Sequence, residues 1–75
     1  MPSYQQLRAD RAVVEQAATH LRQEAIRAGY AGRPDKHLAF ALALILDELA
    51  RHWRDLDEDL RARILDGCRS IIGKR

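Results

Sequence analysis

Nine consecutive residues, Leu38 to Leu46, carry no polar side chain, and the apolar character continues through Leu49 to Trp53. Bounded by Pro34-Asp35 and by Trp53-Arg54, this run is too long for an ordinary strand, and its Ala and Leu content favours a helix. At about 100° per residue, Leu38, Leu42, Ile45, Leu46, Leu49 and Trp53 share one broad arc, with Ala39, Ala43 and Ala50 on its shoulder. That arc is the expected core face, and this helix the expected centre of the fold. Phe40 and Leu44 fall outside it, one turn apart, on the side that carries His37, Asp47, Glu48 and Arg51. The helix therefore has more apolar surface than one packing partner covers.

A chain of 75 residues makes one domain, and at this size the gain from burial is nearly cancelled by conformational entropy of about 1.5 kcal/mol per residue. Small domains commonly add a disulfide, a metal or a second subunit. The single cysteine, Cys68, excludes an intrachain disulfide, so self-association into a larger helical bundle is expected.

The amino-terminal stretch Met1 to Arg8 has no charged segment followed by an apolar one. Leu38 to Leu46 also falls short of the roughly 20 residues that span a bilayer. A cytoplasmic location with no membrane partner is the expectation. The basic residues are Arg except for Lys36 and Lys74, and Ala is abundant, a bias of high-GC coding that points to a bacterial or phage source. The net charge of +2 is small and acids are interspersed with bases, so no basic tail demands nucleic acid.

Along the chain, Ser3 and Gln6 have the spacing of a capping box and predict a first helix over residues 4–28, stopped by Gly29. Its apolar arc holds Leu7, Val13, Val14, Ala17, Ala18, Leu21 and Ala25, with Leu7, Val14, Leu21 and Ala28 repeating every seven residues. The Ala-rich seam permits close helix approach. Gly29 to Asp35 reads as a loop that turns the chain into an antiparallel hairpin, with Asp35 capping the second helix and Tyr30 packing over the hairpin end. The second helix is expected over 36–53. Asp55 and Glu58 again have capping-box spacing and predict a third helix over 56–72, whose apolar side holds Leu56, Leu60, Ile64, Leu65, Cys68, Ile71 and Ile72. The fold class is all-α: a long antiparallel helical hairpin plus a third helix.

Two His–carboxylate pairs, His20 with Glu24 and Glu48 with His52, have the i,i+4 spacing of metal ligands on one helix face. A hairpin turning near residue 32 sets them about eight residues apart, roughly 12 Å at 1.5 Å per residue, too far to share a metal. Ion pairing beside a helix seam is the simpler reading, and no metal or cofactor is expected. Cys68 lies on an apolar arc, where a lone thiol is a small buried hydrophobe. The few hydroxyl residues have no accompanying base, and no phosphate-cradling glycine loop occurs. A catalytic role is therefore not expected.

Nucleic-acid binding is the alternative. The short turn between helices two and three suggests a helix-turn-helix, but the first turn of helix three is Asp57-Glu58-Asp59, which phosphates repel. Arg8, Arg11 and Arg22 could track a phosphate backbone from helix one, with Glu15 interrupting the stripe. The leading expectation is a small non-enzymatic protein-binding module, an adaptor, regulator or inhibitor. It would act as a homo-oligomer or on another protein through Phe40 and Leu44, with His37, Glu48 and Arg51 as a polar rim. A defence, antidefence or toxin–antitoxin role is a further possibility that rests on chain size and source alone.

Overall fold

The computed structural model describes residues 3–30 and 36–73. Three α-helices, α1 (Tyr4–Tyr30), α2 (Lys36–Arg51) and α3 (Glu58–Gly73), are joined between the last two by a 3₁₀ turn, Trp53–Asp55. No strand occurs among the described residues, so the all-α class is as expected. Gly29 and Tyr30 belong to α1 rather than to the expected loop, so Gly29 does not stop the helix; the rest of that loop, residues 31–35, with the Asp35 cap and the packing of Tyr30, lies outside what is described.

The amino-terminal cap of α1 forms as its spacing predicts: Gln6 N–H donates to Ser3 Oγ at 3.1 Å, and Leu7 N–H to the Ser3 carbonyl at 3.0 Å. The reciprocal half of the box does not form, because the Gln6 amide donates to Asp10 one turn on, at 2.9 Å. α1 continues two residues past the expected end, to Tyr30. α2 ends at Arg51 rather than 53, and α3 starts at Glu58 rather than 56. Asp55 belongs to the 3₁₀ turn and caps nothing; instead the Asp57 carbonyl accepts the first α3 bond, from Arg61 N–H at 2.9 Å. The Arg61 guanidinium reaches back to donate to the Leu56 carbonyl and, at 3.4 Å, to the Trp53 carbonyl. The Trp53 carbonyl also accepts the Leu56 N–H at 3.3 Å, so Arg61 ties both ends of the connection between α2 and α3.

The hub is α1. Both α2 and α3 lie along it and barely touch each other, which corrects the expectation that the second helix is central. At about 1.5 Å per residue, 27 residues of α1 span most of the molecule's 45 Å long axis. Among the described residues the buried core is Val14, Ala17, Ala18, Ala25, Ala43, Ala50, Trp53, Leu65 and Cys68, with no buried charged or polar residue. Five of these nine are alanine, so the hairpin is held by close backbone approach more than by large side chains.

The rotation of α2 also differs from expectation. Ala43, Ala50 and, just beyond the helix, Trp53 are buried, Ala39 and Leu46 are half-buried, and Leu38, Leu42 and Ile45 are exposed. The seam residues 39, 43, 46, 50 and 53 alternate steps of four and three, as do Val14, Ala18, Leu21 and Ala25 on α1. Two seams that alternate Ala with larger residues interlock only when those faces meet. The Leu and Ile arc is turned aside by roughly a quarter of the helix circumference.

Arg22 Nη1 and Asp47 Oδ2 meet at 2.7 Å, the one ion pair between helices among the described residues. Both side chains keep substantial solvent contact, so the pair is worth at most about 1 kcal/mol and serves mainly to fix register. Helix α3 carries Gly67 on its exposed side, where an added Cβ meets nothing within 4 Å. Gly67→Ala should therefore stabilise the fold by about 0.5–1 kcal/mol, read as a thermal midpoint raised by several degrees.

Candidate functional site

Five large apolar side chains of α2 are exposed: Leu38 by 63%, Phe40 by 38%, Leu42 by 41%, Leu44 by 68% and Ile45 by 55%. Helical periodicity sets Leu38, Leu42 and Ile45 on one flank of the seam and Phe40 and Leu44 on the other, with Ala41 between them on the outward face. The patch thus wraps the outer half of α2 and is wider than the Phe40–Leu44 pair singled out from the sequence. The missing signal was the Ala seam, which shows which face α1 takes. His37 stands exposed at the amino-terminal end of this face. Glu48 and Arg51 pair with each other at 3.4 Å, and Glu48 also meets His52 at 3.1 Å.

The basic residues of α1 do not form an open stripe. Arg22 is committed to Asp47, Arg11 pairs with Glu15 at 3.6 Å, and the Arg8 guanidinium sits over the Tyr4 ring, 5.8 Å from its centroid. At the start of α3, Glu58 and Asp59 occupy the first turn and are exposed. Phosphates are repelled where a recognition helix would meet them.

The ion pair from Arg22 to Asp47 sets the stretches of α1 and α2 that carry the two His–carboxylate pairs beside each other. They remain apart in direction, because Glu48 and His52 sit on the outward side of α2 while His20 is half-buried on α1. Each pair closes within its own helix, His20 to Glu24 at 3.9 Å and His52 to Glu48 at 3.1 Å. Among the described residues no three His, Cys, Asp or Glu side chains converge on a point. Cys68 is buried, and burial pushes its thiol up from the ordinary value, which keeps it protonated and weakly nucleophilic at neutral pH.

No protein-family model matches the chain, and neither curated proteins nor solved structures give a match. Its chemistry has to be read from its own surface.

A second feature, not visible in the sequence, is a cleft of about 450 Å³ where the start of α1 meets the end of α2 and the 3₁₀ turn. Tyr4, Leu7 and Ala50 supply apolar wall, and Arg8, Arg11, Arg51 and Arg54 supply charge. Trp53 also lines it, 2% exposed, and its Nε1–H is a buried donor with no hydrogen-bond partner. An unmatched buried donor costs about 1–3 kcal/mol. The signal lay in two short groups, Arg8 with Arg11 and Arg51-His52-Trp53-Arg54, which only the hairpin brings together.

Proposed function

We propose that this chain is a non-enzymatic helical docking module of the cytoplasm that works through the outer face of α2, and that the first occupant of that face is a second copy of itself. The observation that carries this reading is the mismatch between core and surface: the core is mostly alanine, while α2 exposes five large apolar side chains. Those side chains present on the order of 500 Å² of surface, toward the upper end of what a monomer normally exposes as one patch. A small domain with little buried apolar area gains most from covering such a patch. No helix among the described residues is long and apolar enough to cross a membrane.

The pattern along α2 suits a two-fold antiparallel pairing. Centred on Leu42, it sets Leu38 within one residue's rise of Ile45 in the second copy, and His37 within one of that copy's Glu48. Both polar residues lie on the same flank, where antiparallel helices related by a two-fold axis bring like positions together. Further docking of a different protein, as an adaptor, regulator or inhibitor requires, would use the same face or compete for it.

Light scattering over a concentration series tests the proposal with the natural chain and with Ile45→Glu, a residue whose exposure lets the fold survive the change. The natural chain is expected at twice the monomer mass and Ile45→Glu at monomer mass with unchanged helical circular dichroism. A natural chain that stays monomeric throughout the series would sink the self-pairing. The nucleic-acid alternative predicts the reverse pattern: binding that falls steeply with salt and is lost when Arg8, Arg11 and Arg22 are neutralised together.

A further inference from the structure

We propose that the cleft between the start of α1 and the 3₁₀ turn binds a small anionic ligand through phosphate or carboxylate oxygens. Arg8 and Arg11 enter from α1, Arg51 and Arg54 from the end of α2 and the turn, and Asp55 is the sole acid lining the cleft. Arg8 and Arg54 form no ion pair among the described residues. Arg11 and Arg51 are held by Glu15 and Glu48 at 3.6 and 3.4 Å, longer than the roughly 2.7–2.9 Å of a strong charge-assisted bond, so a better-placed anion displaces them.

The second observation is Trp53. Its indole nitrogen is a donor that accepts nothing, and it is buried without an acceptor in a residue that lines the cleft. An oxygen acceptor is what it lacks, the same chemistry that the guanidinium groups around it select. The volume, about 450 Å³, falls in the range of roughly 300–1,000 Å³ typical of small-molecule sites, and the Tyr4, Leu7 and Ala50 wall accommodates an apolar portion of the ligand. Trp53 lines the cleft, so an anion bound there changes the surroundings of its indole.

Trp53 is the only tryptophan, so its fluorescence reports on this cleft alone. The chain is titrated with pyrophosphate and, separately, with citrate, each against sodium chloride at matched ionic strength. A saturable change is expected with at least one of them and none with chloride. Arg8→Gln/Arg54→Gln, both at exposed positions, should weaken binding at least tenfold, whereas Arg63→Gln on α3 and Ile45→Glu on α2 should leave it intact. Response to pyrophosphate alone assigns a phosphate ligand, and response to citrate alone a carboxylate. A change that follows ionic strength whatever the ion, saturable binding that the double variant keeps, or silence toward both anions overturns the proposal. Because Ile45→Glu is a separate arm, the result stands or falls independently of self-pairing.

Discussion

Trp53→Ala is expected to remove a large share of the chain's stability, read by circular dichroism as a urea transition moved to much lower concentration. Trp53 is the largest fully buried side chain and belongs to the cluster that joins Val14 and Ala17 of α1, Ala50 of α2, and Leu65 and Cys68 of α3. Removing a buried Trp costs about 3–5 kcal/mol. A chain of this length has a total stability of only about 4–11 kcal/mol at the usual yield per residue. The fully buried positions that adjoin it on α1 and α2 are Val14, Ala17 and Ala50, small side chains that leave the space largely unfilled. Trp53→Phe is the informative companion. It keeps most of the volume and removes the unpartnered Nε1–H, so it should cost no more than about 1 kcal/mol, less than the lost volume alone implies.

The second large effect is at the seam. Ala43→Leu should destabilise the chain by about 2–3 kcal/mol in urea titration, because Ala43 is 1% exposed on the helix that packs along α1. Adding the same side chain at Ala41, on the exposed outward face of the same helix, should change stability by no more than about 0.5 kcal/mol. The contrast between two Ala→Leu changes two residues apart separates packing from helix propensity. Were both changes neutral, the Ala seam would not be the contact that holds the hairpin.

What the sequence discloses of this fold is uneven, for physical reasons. The three helices, the Ser3 cap, the Ala-rich face of α1 and the burial of Trp53 and Cys68 were all legible, since each rests on a local pattern. The rotation of α2 was not. Its apolar residues occupy most of the circumference, so ranking faces by hydrophobicity selects Leu38, Leu42 and Ile45, the very residues left in solvent. The decision is made by shape: α1 offers an alternation of Ala with Val and Leu, and only the Ala39, Ala43, Leu46 and Ala50 face fits it closely. The same blindness hid the register, which a single ion pair between Arg22 and Asp47 marks in space but not in spacing along the chain. It also misplaced the start of α3, because Asp55 with Glu58 has the spacing of a cap while the preceding 3₁₀ turn leaves Asp57 to do that work. The candidate contact residues Phe40 and Leu44 were legible as surplus, but the rest of the patch and the arginine cleft required the hairpin itself.

That α2 and α3 each rest on α1 and scarcely on one another bears on the order in which the chain can take shape as it is made. α1 leaves the ribosome before α2, and its apolar side has no partner until α2 follows, so in that interval it is a lone amphipathic helix that a chaperone could hold. Once residues through Trp53 have emerged, the hairpin closes by contacts between near neighbours in the chain, the kind that form fast. α3 then adds to a surface already built. Synthesis and folding thus run in the same direction, with the first helix made serving as the template for each later one.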